Sequence, residues 1–311
     1  MYNKPLVSII IPVYNGAKYM RFAIDSALAQ TYENTEIIVV NDGSSDATEQ
    51  IALSYGDRIR YFSKENGGCA SALNYGISQM RGEWFSWLSH DDMYAPEKVE
   101  KEISWVEKNQ LDPLNTIVSC CAILIDNNGD PITHSNKRDS CCLTGDTLVH
   151  RLLFGSSLNG CGLLIPKTLL DRVGAFSEDL KYILDWEYWI RAALAGATLY
   201  RQGQELLVFN RIHAEQVTVK AADRLSSERL YVANKLCALV LSTASTEVIK
   251  DFYIHACLNK YNELQKTYRE ELERRHAFSP KISIYAHWLS GKKQLRQAIA
   301  GLYWKIVRGA K

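Results

Sequence analysis

Apolar residues gather in four short runs within the first hundred positions: LVSIIIPVY (6–14), TEIIVVND (35–42), RIRYFSKE (58–65) and EWFSWLSHDD (83–92). Their β-branched and aromatic content is that of short buried strands. Between them, residues 19–29, 46–55 and 69–80 carry apolar positions at helical spacing. Strands that alternate with helices in this way build βαβ units on a parallel sheet, and ligands of such sheets gather beyond the carboxyl ends of the strands.

Those ends carry polar groups of several kinds. Pro12, Tyr14 and Asn15 close the first strand, Asn41 and Asp42 the second, and Glu65 to Gly68 the third; the fourth runs through His90 into the adjacent acids Asp91 and Asp92. A turn running into a helix cap accounts for any single one, NDGSSD (41–46) in particular. All four on one rim point to a bound polar ligand, and the acid pair points to a cation or a sugar nucleotide.

Composition narrows the classes. The 311 residues are 47% hydrophobic, enough for one large domain or a domain with an appendage. A formal net charge of +1 gives no overall electrostatic reason to expect nucleic acid as a partner. Cysteines at 69, 120, 121, 141, 142, 161, 237 and 257 form two vicinal pairs without CxxC spacing, which is neither a zinc site nor a disulfide framework. The start, MYNKPLVSIIIPVYN, lacks a basic leader with an apolar core, and no run approaches the ~18 apolar residues of a membrane span. A cytoplasmic protein with reduced thiols is expected. A nucleotidyltransferase lacks support, because no Gly-rich, lysine-bearing phosphate loop stands near the N-terminus.

The stretches SIIIPVYNGAKYMRFAIDSALAQTYENTEIIVVNDGSSDAT (8–48), NGG (66–68), ALNYGI (72–77) and GEWFSWLSHDD (82–92) together resemble the inverting family 2 glycosyltransferases of the GT-A fold, over roughly the first third of the chain. The resemblance implies an α/β protein, a Rossmann-like, mainly parallel sheet flanked by helices. Residues 1–220 are expected to form the catalytic domain, with 1–115 as its nucleotide-binding half and 116–220 as its acceptor-side half, and 221–311 a helical extension with a basic amphipathic tail. It implies that Asp42 recognises the nucleobase, where a carboxylate can accept from a base N–H. Pro12, Tyr14, Asn15, Asn66, Gly67 and Asn74 are expected to line the same nucleotide-sugar site. The family's acidic motif usually reads Asp-x-Asp-Asp, whereas this chain reads Ser89-His90-Asp91-Asp92. By resemblance Asp91 contacts the ribose, and Asp92 ligates a divalent cation, Mn²⁺ or Mg²⁺, bridging the two phosphates.

Two later segments extend the resemblance. LNGCGLLIPKTLLDRVGAF (158–176) and LKYILDWEYWIRAALAGA (180–197) resemble the acceptor-side region, where an acid at the start of a helix faces the reacting sugar. Asp185 aligns with that general base and Glu187 competes with it; either acid also suits a helix N-terminus. VFNRIHAEQVT (208–218) resembles an Arg-x-His-x-x-Gln ending, in which His213 is expected to ligate the metal or the diphosphate, and Arg211 either neutralises phosphate or anchors the loop.

Residues 223–275 read as helical, with QKTYREELERRH (265–276) as a solvated, charged face. From Ala277 to Lys311 no acid occurs, while Lys281, Lys292, Lys293, Arg296, Lys305, Arg308 and Lys311 alternate with tyrosine, tryptophan and aliphatic residues. Such a helix either lies in an anionic membrane interface or packs on the protein with its lysines solvated. The membrane reading suits a lipid-linked acceptor and a peripheral protein on the inner face of the plasma membrane. The expected function is therefore metal-dependent, inverting transfer of a sugar from a nucleotide diphosphate donor, UDP by family frequency, to a hydroxyl. The acceptor is a glycan or an undecaprenyl-diphosphate-linked oligosaccharide in surface-polysaccharide synthesis. The alternative is a non-catalytic sugar-nucleotide-binding protein of the same fold.

Overall fold

The computed structural model describes residues 4–132, 139–155, 158–213, 216, 224–289 and 292. The chain divides into two compact units, Met1–Leu148 with Ser157–Glu228, and Val149–Ser156 with Arg229–Lys311.

In the first unit, β1 (Val7–Val13), α1 (Met20–Leu28), β2 (Thr35–Asp42), α2 (Thr48–Leu53), β3 (Arg60–Lys64), α3 (Gly68–Gln79) and β4 (Trp84–Trp87) follow one another as the hydrophobic pattern predicts. Sheet order is β3-β2-β1-β4, all parallel, so the four carboxyl ends share one rim. Every residue of β1 is buried. Ile9, Ile11 and Val13 join Met20, Ala23 and Ile24 of α1 in one core cluster. On the other face α3 lies so close that a Cβ on Gly76 would come within 2.5 Å of Ile10. Covering both faces explains why β1 reads as an unbroken apolar run instead of an alternating one.

Beyond β4 the sheet becomes mixed. After β5 (Met93–Tyr94) and α4 (Lys98–Lys108) come β6 (Thr116–Ile125), β7 (Cys141–Thr144), α5 (Gly145–Phe154), β8 (Leu163–Pro166), α6 (Lys167–Val173), α7 (Leu184–Leu194) and β9 (Thr198–Arg211). β8 is antiparallel to β4 and to β6, β6 is parallel to β9, and β5 is antiparallel to β9. One register sets up the site. Met93 pairs with Phe209 and Tyr94 with Val208, so the same antiparallel register, continued outward, puts Asp92 opposite Asn210 and Asp91 opposite Arg211.

Beneath β4, Lys98 and Glu102 form a fully buried ion pair of 2.7 Å. Lys98 Nζ also donates to Ser86 Oγ (3.2 Å), and the Tyr94 hydroxyl donates to the Trp87 carbonyl (2.6 Å). These polar contacts fix the end of the strand from which the acid pair departs.

The stretch read as one helical region is three helices, α8 (Leu225–Thr243), α9 (Thr246–Asn259) and α10 (Asn262–Arg274). The first break falls at Ser245, whose hydroxyl caps α9 by accepting from the Val248 N–H (3.2 Å). The second falls at Lys260, which takes a left-handed conformation with φ 59°. Val232, Leu236, Ile249, Phe252 and Leu272 fill the core of the second unit. Glu271 pairs with Arg274 and Arg275, as a solvated face predicts.

Candidate active site

The loops after β1 and β2 are stitched together. Asn15, in the left-handed region with φ 49°, accepts from the Ser45 N–H (2.9 Å), and its own N–H donates to Ser44 Oγ (2.9 Å). Asp46 accepts from the Ala17 and Thr48 N–H groups, both at 3.0 Å. NDGSSD is therefore a cap and a clamp at once. Gly43, with φ 70°, passes the third loop so closely that a Cβ would lie 2.8 Å from the Asn66 nitrogen.

Asp42, 3% exposed, faces this third loop. Its carboxylate accepts from Lys64 Nζ (2.9 Å) and from the Gly67 and Gly68 N–H groups (2.9 and 2.7 Å), and Asn66 Nδ2 donates to its carbonyl (3.0 Å). Three of about four acceptor sites on the carboxylate are thus engaged within the rim. Tyr14 stands 51% exposed beside it. Pro12 is buried in β1, and its carbonyl is bonded by His90. The Asn74 amide donates to the Phe176 carbonyl (2.9 Å) and accepts from the Phe176 N–H (2.8 Å), bracing α3 against the chain before α7.

The acid pair divides. Asp91 Oδ2 lies 2.9 Å from His213 Nε2, with Gln216 Nε2 at 3.4 Å. Asp92 turns inward, 5% exposed. Its Oδ1 accepts from the Arg211 N–H (2.9 Å), and its Oδ2 accepts from Asn210 Nδ2 (2.7 Å) and the Cys161 thiol (3.3 Å). Burial, and after it the charge of Asp91, pushes the Asp92 carboxyl up to about 7. The residue expected to hold the cation is thus engaged by the protein on both oxygens. Ser89, in place of the usual first acid, meets the same Cys161 sulfur at 3.2 Å. Arg211 is 1% exposed and donates to the carbonyls of Asp91 (3.0 Å), Asp126 (2.8 Å) and Asn127 (2.9 Å), so of its two expected roles the structure selects the anchor.

Among the described residues no group of three or more His, Cys, Asp or Glu side chains is arranged to hold a metal ion. Asp91 and His213 still fit as a two-point hold. At metal–ligand distances of about 2.1 Å, adjacent octahedral ligands lie roughly 3 Å apart, and their facing atoms are 2.9 Å apart. Such a cation takes its remaining ligands from water and from substrate phosphates.

Asp185 opens the first turn of α7, partly exposed, with Oδ1 accepting from the Trp186 N–H (2.7 Å). Its surroundings raise its carboxyl from 3.8 to about 6 by desolvation. Glu187 is different: fully buried, its two oxygens are bound by Arg191 Nε (2.8 Å) and Nη2 (3.0 Å). Tyr188 and Trp189 carry α7 onto Phe176; the Tyr188 ring stacks on it at 4.0 Å and Trp87 meets it edge-on at 6.2 Å. Cys69, at the start of α3, reaches solvent.

Asn210 and Cys161 join the site without a motif of their own to mark them. Asn210 adjoins the Arg-x-His segment and carried a weak signal; Cys161 carried none.

A mixed α/β sheet flanked by helices, its first four strands parallel with their carboxyl ends on one rim, is the architecture of the GT-A fold. The model of Glycosyl transferase family 2 matches residues 8–141. An uncharacterized glycosyltransferase of Rickettsia typhi is 50% identical over 226 residues, 71% of this chain and 68% of that protein. One from Haemophilus influenzae is 27% identical over 289 residues, 88% and 87% of the two chains. The chain belongs to glycosyltransferase family 2. The crystal structure of S. aureus TarS 1–349 in complex with UDP-GlcNAc shares the fold with a TM-score of 0.66 at 18% identity, covering 89% of this chain and 82% of that one.

Proposed function

We propose that this enzyme transfers a sugar from a nucleotide diphosphate donor to an acceptor hydroxyl with inversion, Asp185 acting as general base. The observation that carries the reading is Asp185, partly exposed in the first turn of α7 with its carboxyl raised by desolvation, in a sheet whose parallel strands bring the Asp42 and Asp91 segments to one rim. A base with a raised carboxyl, partly open to solvent, is suited to taking a proton from a hydroxyl near neutral pH. Direct displacement requires that the base and the departing diphosphate lie on opposite faces of the sugar, which suits acids drawn from separate segments.

The donor site comprises Tyr14, Asn15, Asp42, Asn66 and Gly67, with the nucleobase against the loop that Asp42 organises. UDP is the favoured nucleotide, because the similar TarS structure is a complex with UDP-GlcNAc. Asp91 and His213 replace Asp92 as the residues that would hold Mn²⁺ or Mg²⁺, which would neutralise charge on the leaving diphosphate. Asp92 holds the end of β9, and so the stem of His213, beside Asp91. The acceptor is a glycan or lipid-linked oligosaccharide of surface-polysaccharide type.

Membrane attachment is the second part of the proposal. Residues 280–289 are helical, and Ser283 and Ala286 face their own unit, Ser283 bonded to the Tyr253 hydroxyl at 2.6 Å. Ile284, Tyr285 and Trp288 remain exposed, at 69%, 51% and 52%. The acid-free sequence continues through residues 293–311, which lie outside the described residues. No helix among the described residues is long and apolar enough to cross a membrane. Attachment is therefore peripheral, through aromatic and basic side chains on anionic lipid.

The deciding experiment screens nucleotide sugars with and without Mn²⁺ or Mg²⁺ and reads the product anomer by NMR. Retention of configuration, or metal-independent turnover with every donor, overturns the corresponding part. Loss of binding to anionic vesicles in Tyr285→Ala/Trp288→Ala, with donor hydrolysis kept, tests attachment; unchanged vesicle binding at low salt refutes it.

A further inference from the structure

The N-cap residue of α7, Ile183, has no side-chain acceptor, and within the first turn the Trp186 N–H is met by Asp185. The N–H groups of the three residues that lead into the helix find their acceptor 45 to 47 positions further along the chain. The Glu228 carboxylate, in the first turn of α8 and still within the first compact unit, accepts from three consecutive N–H groups: Lys181 (2.6 Å), Tyr182 (2.8 Å) and Ile183 (2.9 Å). Arg224, one turn earlier, adds a bond from Nη1 to the Tyr182 hydroxyl (3.3 Å).

We propose that Glu228 is a positioning residue for sugar transfer: it fixes the backbone that enters α7 and thereby the direction in which Asp185 presents its carboxylate. This rests on the reading of Asp185 as the base. Bonds from N–H groups to an ionised acceptor are short and strong, and an anion at a helix N-terminus is favoured by the helix dipole. Asp185 follows directly on this clamp. One of its oxygens is itself bonded to the Trp186 N–H, so its orientation follows the first turn, and the first turn follows residues 181–183. Glu228 has no part in the donor rim, so its removal should disturb proton transfer and leave nucleotide binding alone.

The experiment measures kcat, donor Kd and melting temperature for Glu228→Ala, Glu228→Gln, Asp185→Asn and the double variant Asp185→Asn/Glu228→Ala, assayed well below each melting temperature. Misplacing a reacting group by about 1 Å costs on the order of 100-fold. Glu228→Ala is therefore expected to lower kcat about 10- to 100-fold, with donor Kd within about twofold. Glu228→Gln keeps an acceptor oxygen and should recover part of the loss, which also covers the case of an alanine variant that does not fold. In the Asp185→Asn background, Glu228→Ala should lower the residual rate no further. A wild-type kcat in Glu228→Ala beside an inactive Asp185→Asn overturns this inference and leaves the base standing. Full additivity in the double variant, or donor Kd weakened in step with kcat, also overturns it. A fully active Asp185→Asn removes the base and this inference together.

Discussion

The turn after β4 and the first turn of α7 each carry two acids, and in both the fold buries one and leaves the other partly exposed. Asp92 is held by the Arg211 N–H, Asn210 and Cys161, while its neighbour Asp91 meets His213. Glu187 is held at both oxygens by Arg191, while Asp185 stays partly exposed. The two held acids differ in kind. Asp92 accepts from neutral donors, and burial, followed by the charge of Asp91, pushes its carboxyl up to about 7. Glu187 has a guanidinium partner. A buried carboxylate must find donors or give up its charge, so which member of an acid pair remains for chemistry is decided by where the donors are.

The largest effect should come from the open acid on α7. Asp185→Asn is expected to lower kcat for transfer by about 10²- to 10⁴-fold with donor Kd unchanged; should Glu187→Gln do this instead, the two acids have been read in the wrong order. The open acid at the β4 turn comes next. Asp91→Asn is expected to remove the stimulation of donor binding by Mn²⁺ or Mg²⁺, seen as a flat calorimetric titration in the presence of metal. Stimulation that survives excludes Asp91 as a ligand.

The held acids should speak through stability. Glu187→Ala leaves Arg191 without its carboxylate partner and is expected to cost on the order of 3 kcal/mol, read from denaturant midpoints, while any folded fraction keeps its donor affinity. Asp92→Asn sets an amide N–H₂ against the Arg211 N–H or the Asn210 amide, a donor facing a donor, and is expected to cost about 2 kcal/mol. A variant of Asp92 that melts like the parent yet has lost its metal response would restore Asp92 as the cation ligand.

The smallest shift is in pH. Asp185 is raised from 3.8 to about 6, and a base works only when ionised, so kcat/KM for transfer should hold above about 6 and fall as pH drops through it. An acid limb close to 3.8 would mean that the carboxyl is solvated like an ordinary aspartate.

Much of the first 92 residues was legible because their signals are local. Strand runs, glycines and turn residues in the first 92 positions act over a few residues, and the four strands and three helices fall where the pattern puts them. Asn74 shows the limit of that reading. It sits in a motif, ALNYGI, but its amide is committed to Phe176, 102 positions away. Lys98 and Glu102 show it again: the charged stretch EKVEKE (97–102) looks solvated, yet the two side chains form a fully buried pair.

By itself, the sequence determined the class of sheet, the shared rim and the identity of the acids that could serve, since period, turn chemistry and residue type are properties of short segments. Tertiary structure alone decided the partners of the acids after β4, because the antiparallel register of β5 on β9 sets Asn210 and Arg211 opposite Asp92 and Asp91. The Glu187–Arg191 pair is local by contrast, since i and i+4 share a helix face. Glu228 comes from beyond β9 and closes on the entry to α7. Burial and hydrogen-bond partners divide the acids between structure and chemistry, and most of those partners are assigned only once distant segments have met.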